Sequence, residues 1–106
     1  MRRIDLRGER VVTAPGSTNA SVRRIAGSAH VVVIEVAPGG IVGRHPAGAA
    51  QLFAVVRGSG WVGGDDGERS PISVGEAVLW EPGEEHESGS TDGMTALVVE
   101  AESLDV

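Results

Sequence analysis

Two histidines in glycine-punctuated surroundings are the residues of this chain best suited to chemistry. His45 lies in the segment from Gly39 to Gly58, GGIVGRHPAGAAQLFAVVRG, and His86 in the segment from Gly75 to Ser90, GEAVLWEPGEEHESGS. A neutral imidazole can ligate a metal, accept a hydrogen bond or move a proton near neutral pH. Gln51 opens the apolar run that follows His45, and its carboxamide offers both a donor and an acceptor. His30 stands apart at the start of VVVIEV and reads as structural or exposed. Other chemistries lack support. With no cysteine in the chain, disulfides, thiolate zinc sites and thiol catalysis are excluded. No phosphate-cradling glycine loop, Gly-x-Ser-x-Gly elbow or His-Glu-x-x-His helix is present, and no spacing selects a Ser-His-acid group.

The elements that must carry these side chains read as short strands. Apolar content rests on Val, Ala, Leu and Ile, aromatic residues make up only 3%, and 16 glycines interrupt the 106 residues, a composition of β-branched strands and tight turns. The pattern predicts strands at 10–13, 21–25, 31–37, 51–56, 60–62, 69–73, 77–80 and 95–101. Turn signals lie between them at Pro15-Gly16, Ala26-Gly27, Pro38-Gly39-Gly40, Asp65-Asp66-Gly67, Pro82-Gly83 and Asp92-Gly93. Asp66-Gly67 is the clearest hairpin signal. Alternation along 51–56 sets Phe53 and Val55 on one face and Leu52, Ala54 and Val56 on the other. Both faces are apolar, so this strand is expected at the centre of the fold. With no helical period over any long window, the class is all-β, a sandwich or small barrel, in one domain spanning 1–106.

Charge narrows the partners. A net charge of -6 leaves no basic stripe for nucleic acid. No apolar run suits a signal or a membrane span, so the expected location is cytoplasmic.

The two histidine segments together resemble the cupin family. That family carries Gly-x5-His-x-His-x(3 or 4)-Glu-x6-Gly and Gly-x5-Pro-x-Gly-x2-His-x3-Asn, and this sequence lies on both without a gap. In the first, Gly39, His45 and Gly58 match, while Ala47 stands at the second histidine and Gln51 at the glutamate. A second register places His45-Pro46 at the second histidine and Gly43 at the first; either way one histidine is missing. In the second motif Gly75, Gly83 and His86 match, Glu81 replaces the proline, and Ser90 stands for asparagine. The resemblance implies a double-stranded β-helix, or jelly roll, and a family tendency to form homodimers.

In metal-bearing cupins three histidines and a glutamate converge inside the barrel. The corresponding positions here are His45, Gln51 and His86, two neutral imidazoles and an amide with no negative charge. They define a weak site for a divalent transition metal, Zn, Ni, Cu, Mn or Fe, unless Glu84, Glu85 or Glu87 turns in. The expected function is therefore binding of a small polar molecule, with His45, Gln51 and His86 as polar contacts and Phe53, Val55 and Trp80 as apolar walls. Two alternatives stand beside it: a metal-dependent oxygenase or isomerase, and a non-catalytic dimeric interaction module. Trp61 is a further candidate wall near the mouth. Arg23, Arg24, Arg44 and Arg57 read as surface charge, although any that faced inward would favour a carboxylate ligand.

Overall fold

The computed structural model describes residues 1–6, 10, 11, 15, 21, 22, 25 and 27–106. Among them are ten strands: β1 (Arg2–Asp5), β2 (Arg10–Val11), β3 (Ser21–Val22), β4 (His30–Val36), β5 (Ile41–Pro46), β6 (Ala50–Gly63), β7 (Arg69–Ser73), β8 (Glu76–Trp80), β9 (Glu85–Gly89) and β10 (Met94–Ala101). The chain is all-β, as its glycine-broken, β-branched runs imply. No helix among the described residues is long and apolar enough to cross a membrane.

The strand β6, 14 residues long, organises the fold. Its first half pairs with β8 and β10, its second half with β7 and β9. One sheet therefore runs β1-β8-β6-β10-β4, and the other joins β5 to β9, β9 to β6 and β6 to β7. The strand changes sheets at a bulge. On β10 the pairing jumps from Arg57 to Val55 between Thr95 and Ala96, leaving Val56 out of the ladder and 55% exposed. An extra residue bends a strand and sharpens its twist. Gly58 completes the bend with φ of 74°, and a Cβ there would lie 2.2 Å from the Gly93 carbonyl oxygen; only glycine fits.

The two expected strands 51–56 and 60–62 are thus one bent strand, because a glycine that punctuates the sequence here serves as a corner. The strands β1, β5 and β9 were not expected. Each carries too many polar or glycine residues for a period-two signal, and pairing with a neighbouring strand, β8 for β1, β6 for β9 and β9 for β5, supplies what the local pattern lacks. The hairpin at Asp66-Gly67 is present, closed by a bond from Gly67 N–H to Gly64 O of 3.0 Å. The expected strands at 10–13 and 21–25 and the turns Pro15-Gly16 and Ala26-Gly27 lie partly outside the described residues.

Both faces of β6 are buried, as its sequence implied. Phe53 and Val55 join Val62, Ile72, Val78, Trp80, Met94 and Val98 in the core between the sheets. Leu52 and Ala54 pack on the opposite face with Ile4, Ala77 and Leu79, covered in part by Leu104 and Val106.

Candidate functional site

His45 on β5 and His86 on β9 are direct cross-strand partners. Their rings lie 4.1 Å apart between centroids, tilted by 55°. Trp80, at the end of β8, stacks on the far side of His86 at 4.6 Å and 34°, and Phe53 meets Trp80 edge-on at 5.5 Å. The site is a row of rings running from the rim into the core. His86 is buried, whereas His45 is exposed. His45 therefore stands at the rim rather than in the inward cavity position expected for it: among the described residues β5 is hydrogen-bonded to β9 alone, and the ring is exposed.

Gln51 is half-buried and lies opposite Trp80 in the β6–β8 register, on the same face as Phe53 and Val55. Phe53 and Val55, each 2% exposed, form the packed floor beneath Trp80. Trp61 does not adjoin this row. Val62 beside it is fully buried between the sheets, so alternation turns Trp61 outward. There its ring covers Gly89, where a Cβ would come within 2.4 Å of the indole, and the Arg69 guanidinium caps it at 3.8 Å. His30 is exposed on β4. Arg57 is exposed, and Arg44 donates to the carbonyls of Gly64 and Asp65 at 3.0 and 3.1 Å. Arg23 and Arg24 lie outside the described residues.

Backbone carbonyls orient both imidazoles. His45 Nδ1 contacts Gly43 O at 2.6 Å and His86 Nδ1 contacts Glu84 O at 3.4 Å. A carbonyl only accepts, so each Nδ1 carries a proton, and in the neutral form of each ring Nε2 keeps its lone pair. Burial holds His86 below the ordinary imidazole value of 6.5; the bond to Glu84 O pulls it up, His45 pushes it down, and the Glu84 and Glu85 charges pull it up. The solvated, proton-favouring position that three glutamates around His86 could suggest is thus not what the fold gives, because strand alternation takes the ring away from Glu85 and Glu87.

This sets a pH dependence. Unfolded, His86 takes up a proton near its ordinary value of about 6.5; folded, it does so only at lower pH. The unfolded state then binds more protons between those two values, so stability is fully present above 6.5 and declines as pH falls toward the folded value. Urea unfolding across this window should show the decline in the native chain and a flatter profile in His86→Gln. Equal slopes in the two would refute it.

The donor set does not fit a resident metal ion. Among the described residues no group of three or more His, Asp or Glu side chains is placed to hold one. Of the carboxylates that could substitute, Glu84 is engaged with the Met1 ammonium and with Glu81 N–H at 3.1 Å and Glu87 with Arg69 at 3.2 Å, and Glu85 alternates to the opposite face of β9 from His86. Ala47, at the family's second-histidine position, is buried at 3% exposure and pinned by backbone bonds to Glu84 O and from Gly83 N–H. Ser90, at the asparagine position, works as a brace: its hydroxyl donates to Ser59 O at 2.6 Å and accepts from Gly93 N–H at 2.8 Å.

Sequence reasoning overlooked Ser88. It lies two positions along β9 from His86 on the same inward face, opposite Val42 and Val62. It is 3% exposed, and among the described residues no hydrogen bond engages its hydroxyl. The small polar residue interrupting an inward apolar face was the available signal, masked by the flanking Glu87 and Gly89.

Residues 32–101 match the cupin-domain family. The chain belongs to the cupin family, and its fold is the double-stranded β-helix. Solved structures agree. A protein with a double-stranded beta-helix domain from Klebsiella pneumoniae superposes with a TM-score of 0.64 at 20% identity, covering 90% of this chain and 88% of that one. A predicted oxalate decarboxylase from Thermotoga maritima gives 0.61 at 25% identity over 67% and 64%. The DMSP lyase DddQ from Ruegeria pomeroyi gives 0.66 at 16% identity over 76% of this chain but only 44% of the lyase. No curated protein matches the sequence.

Proposed function

We propose that this cupin binds a small polar molecule against the His45–His86 pair, with Gln51 beside it and Trp80, Phe53 and Val55 as the apolar wall behind. The observation that carries the reading is the cross-strand pair itself. Two imidazoles meet at 4.1 Å, and both turn Nδ1 to backbone carbonyls, which leaves two Nε2 lone pairs for a ligand. Buried polar groups without partners are uncommon in native folds unless water or a ligand supplies one; His86 and Ser88 are both buried, while Nε2 of the exposed His45 is open to a ligand from the rim. A resident divalent transition metal is the reading these donors support least, since two imidazoles and an amide bring no charge to balance the ion. The decarboxylase and lyase activities named for two structural neighbours therefore do not transfer to this site as it stands.

The test is a screen of hydroxylated, aminated and carboxylated fragments read through the side-chain nitrogen resonances of the labelled histidines. At least one fragment class should shift His45 and His86 together, leave His30 unmoved, and bind about tenfold more weakly to His86→Gln, the effect of losing one hydrogen bond at a buried site. Fragments that bind without moving either ring, or that move His30 equally, would sink the proposal.

A further inference from the structure

The orientation of the two rings also says what the ligand must bring. We infer that the site selects a ligand presenting two adjacent hydrogen-bond donors and no negative charge, of the vicinal diol or amino-alcohol class, rather than a carboxylate or phosphate. This rests on reading the His45–His86 pair as the binding site.

Three observations carry it. Each Nδ1 is tied to a carbonyl oxygen, at Gly43 and at Glu84, so what the neutral rings offer a ligand is a pair of acceptors, and an anion, itself an acceptor, finds no donor on them. The carboxylates that act on His86 are Glu84, itself paired with the Met1 ammonium, and Glu85. Four carboxylates, those of Asp65, Asp66, Glu81 and Glu84, line a hollow next to the start of β9 together with Met1, so an anion approaching from that side meets an excess of negative charge. The Arg44 guanidinium, beside His45 in the chain, directs two of its N–H groups to the carbonyls of Gly64 and Asp65 and not to a ligand at the pair. Like-charge juxtaposition excludes partners more strongly than favourable charge recruits them. Ser88, buried on the His86 face, and the half-buried Gln51 can each accept from a hydroxyl or donate to an anion, so the preference rests on the two rings and the carboxylates around them.

Three cyclohexane probes of one shape separate the possibilities: cis-1,2-cyclohexanediol, cis-2-aminocyclohexanol and cis-1,2-cyclohexanedicarboxylate. Each is titrated at neutral pH into protein with labelled histidines. The nitrogen shifts of the free protein should first show Nδ1 protonated and Nε2 bare at both positions. The diol and the amino alcohol should then move His45 and His86, and the dicarboxylate should bind at least about tenfold more weakly, if at all, as like-charge exclusion requires. His45→Gln should weaken the diol while leaving the fold, read by circular dichroism, unchanged. Dicarboxylate binding at the pair as tightly as the diol overturns this inference and leaves the binding site standing. Failure of all three probes to move either ring at millimolar concentration overturns the site and the inference together.

Discussion

Replacing Trp80 with alanine should lower the stability of the chain by about 3–5 kcal/mol, the range for deleting a fully buried large aromatic. Trp80 is 1% exposed and is the member of the core that links most parts of the fold. Its ring lies against Phe53 on β6 at 5.5 Å and against His86 on β9 at 4.6 Å. Its indole N–H donates to Gly63 O at 3.1 Å, joining the end of β8 to the far end of β6 and so one sheet to the other. Alanine would leave a cavity between the sheets and orphan a buried carbonyl, and the orphaned group alone accounts for roughly 1–3 kcal/mol. Trp80→Phe separates the two parts: it keeps most of the apolar contact and loses only the donor, so it should fall between alanine and the native chain. Urea denaturation of all three measures the order. An alanine variant within about 1 kcal/mol of the native chain, below the usual loss for any large core truncation, would mean that the ring row is not packed as described. The same substitution removes the wall that fixes the His86 ring, so the resonance of its Nδ1–H should broaden or vanish even where the variant is still folded.

The contrast between what the residues revealed and what they concealed follows from pairing. The central strand was legible because 51–56 is apolar on both faces, a pattern only a strand covered on both sides sustains. Trp80 was legible as a large apolar surface at a strand end because a ring just before a Pro-Gly turn cannot lie far from it; that it is a core ring packed on His86 was not. The strand β9, EHESG, was not legible: its inward residues are a histidine and a serine, and only the register against β5 and β6 makes them a face. The histidine pair was visible solely through spacing shared with a family, since nothing local to His45 or His86 says that Pro46 lies opposite Glu85 or that the rings touch. Trp61 shows the opposite failure. Its size suggested a site, but a one-residue step in a strand reverses the face, and the inward neighbour Val62 settles which way the ring goes.

Two substitutions should convert the pair into a metal centre. Gln51→Glu supplies the missing negative charge, and Ala47→His supplies the missing imidazole, restoring the donor set that the family pattern implies at these positions. Gln51 is half-buried beside Trp80, so exchanging its amide for a carboxylate changes charge with almost no change in volume. The two Nε2 lone pairs need no rearrangement, because backbone carbonyls already hold Nδ1 of both rings, the outer-shell support that metal-ligating histidines ordinarily have. Nickel or zinc titration of the native chain, Gln51→Glu and Ala47→His/Gln51→Glu should show affinity rising at each step. The double variant should gain at least the roughly 10–100-fold that outer-shell partners alone command and retain about one ion per chain through gel filtration, as a single four-ligand site does. Ala47 is 3% exposed, so the larger side chain could prevent folding; the single Gln51→Glu variant then decides, since one added carboxylate must still tighten binding. A native chain that already retains an equivalent of metal, or folded variants that bind no better than it does, would show that charge at these positions is not what separates this site from its metal-bearing relatives.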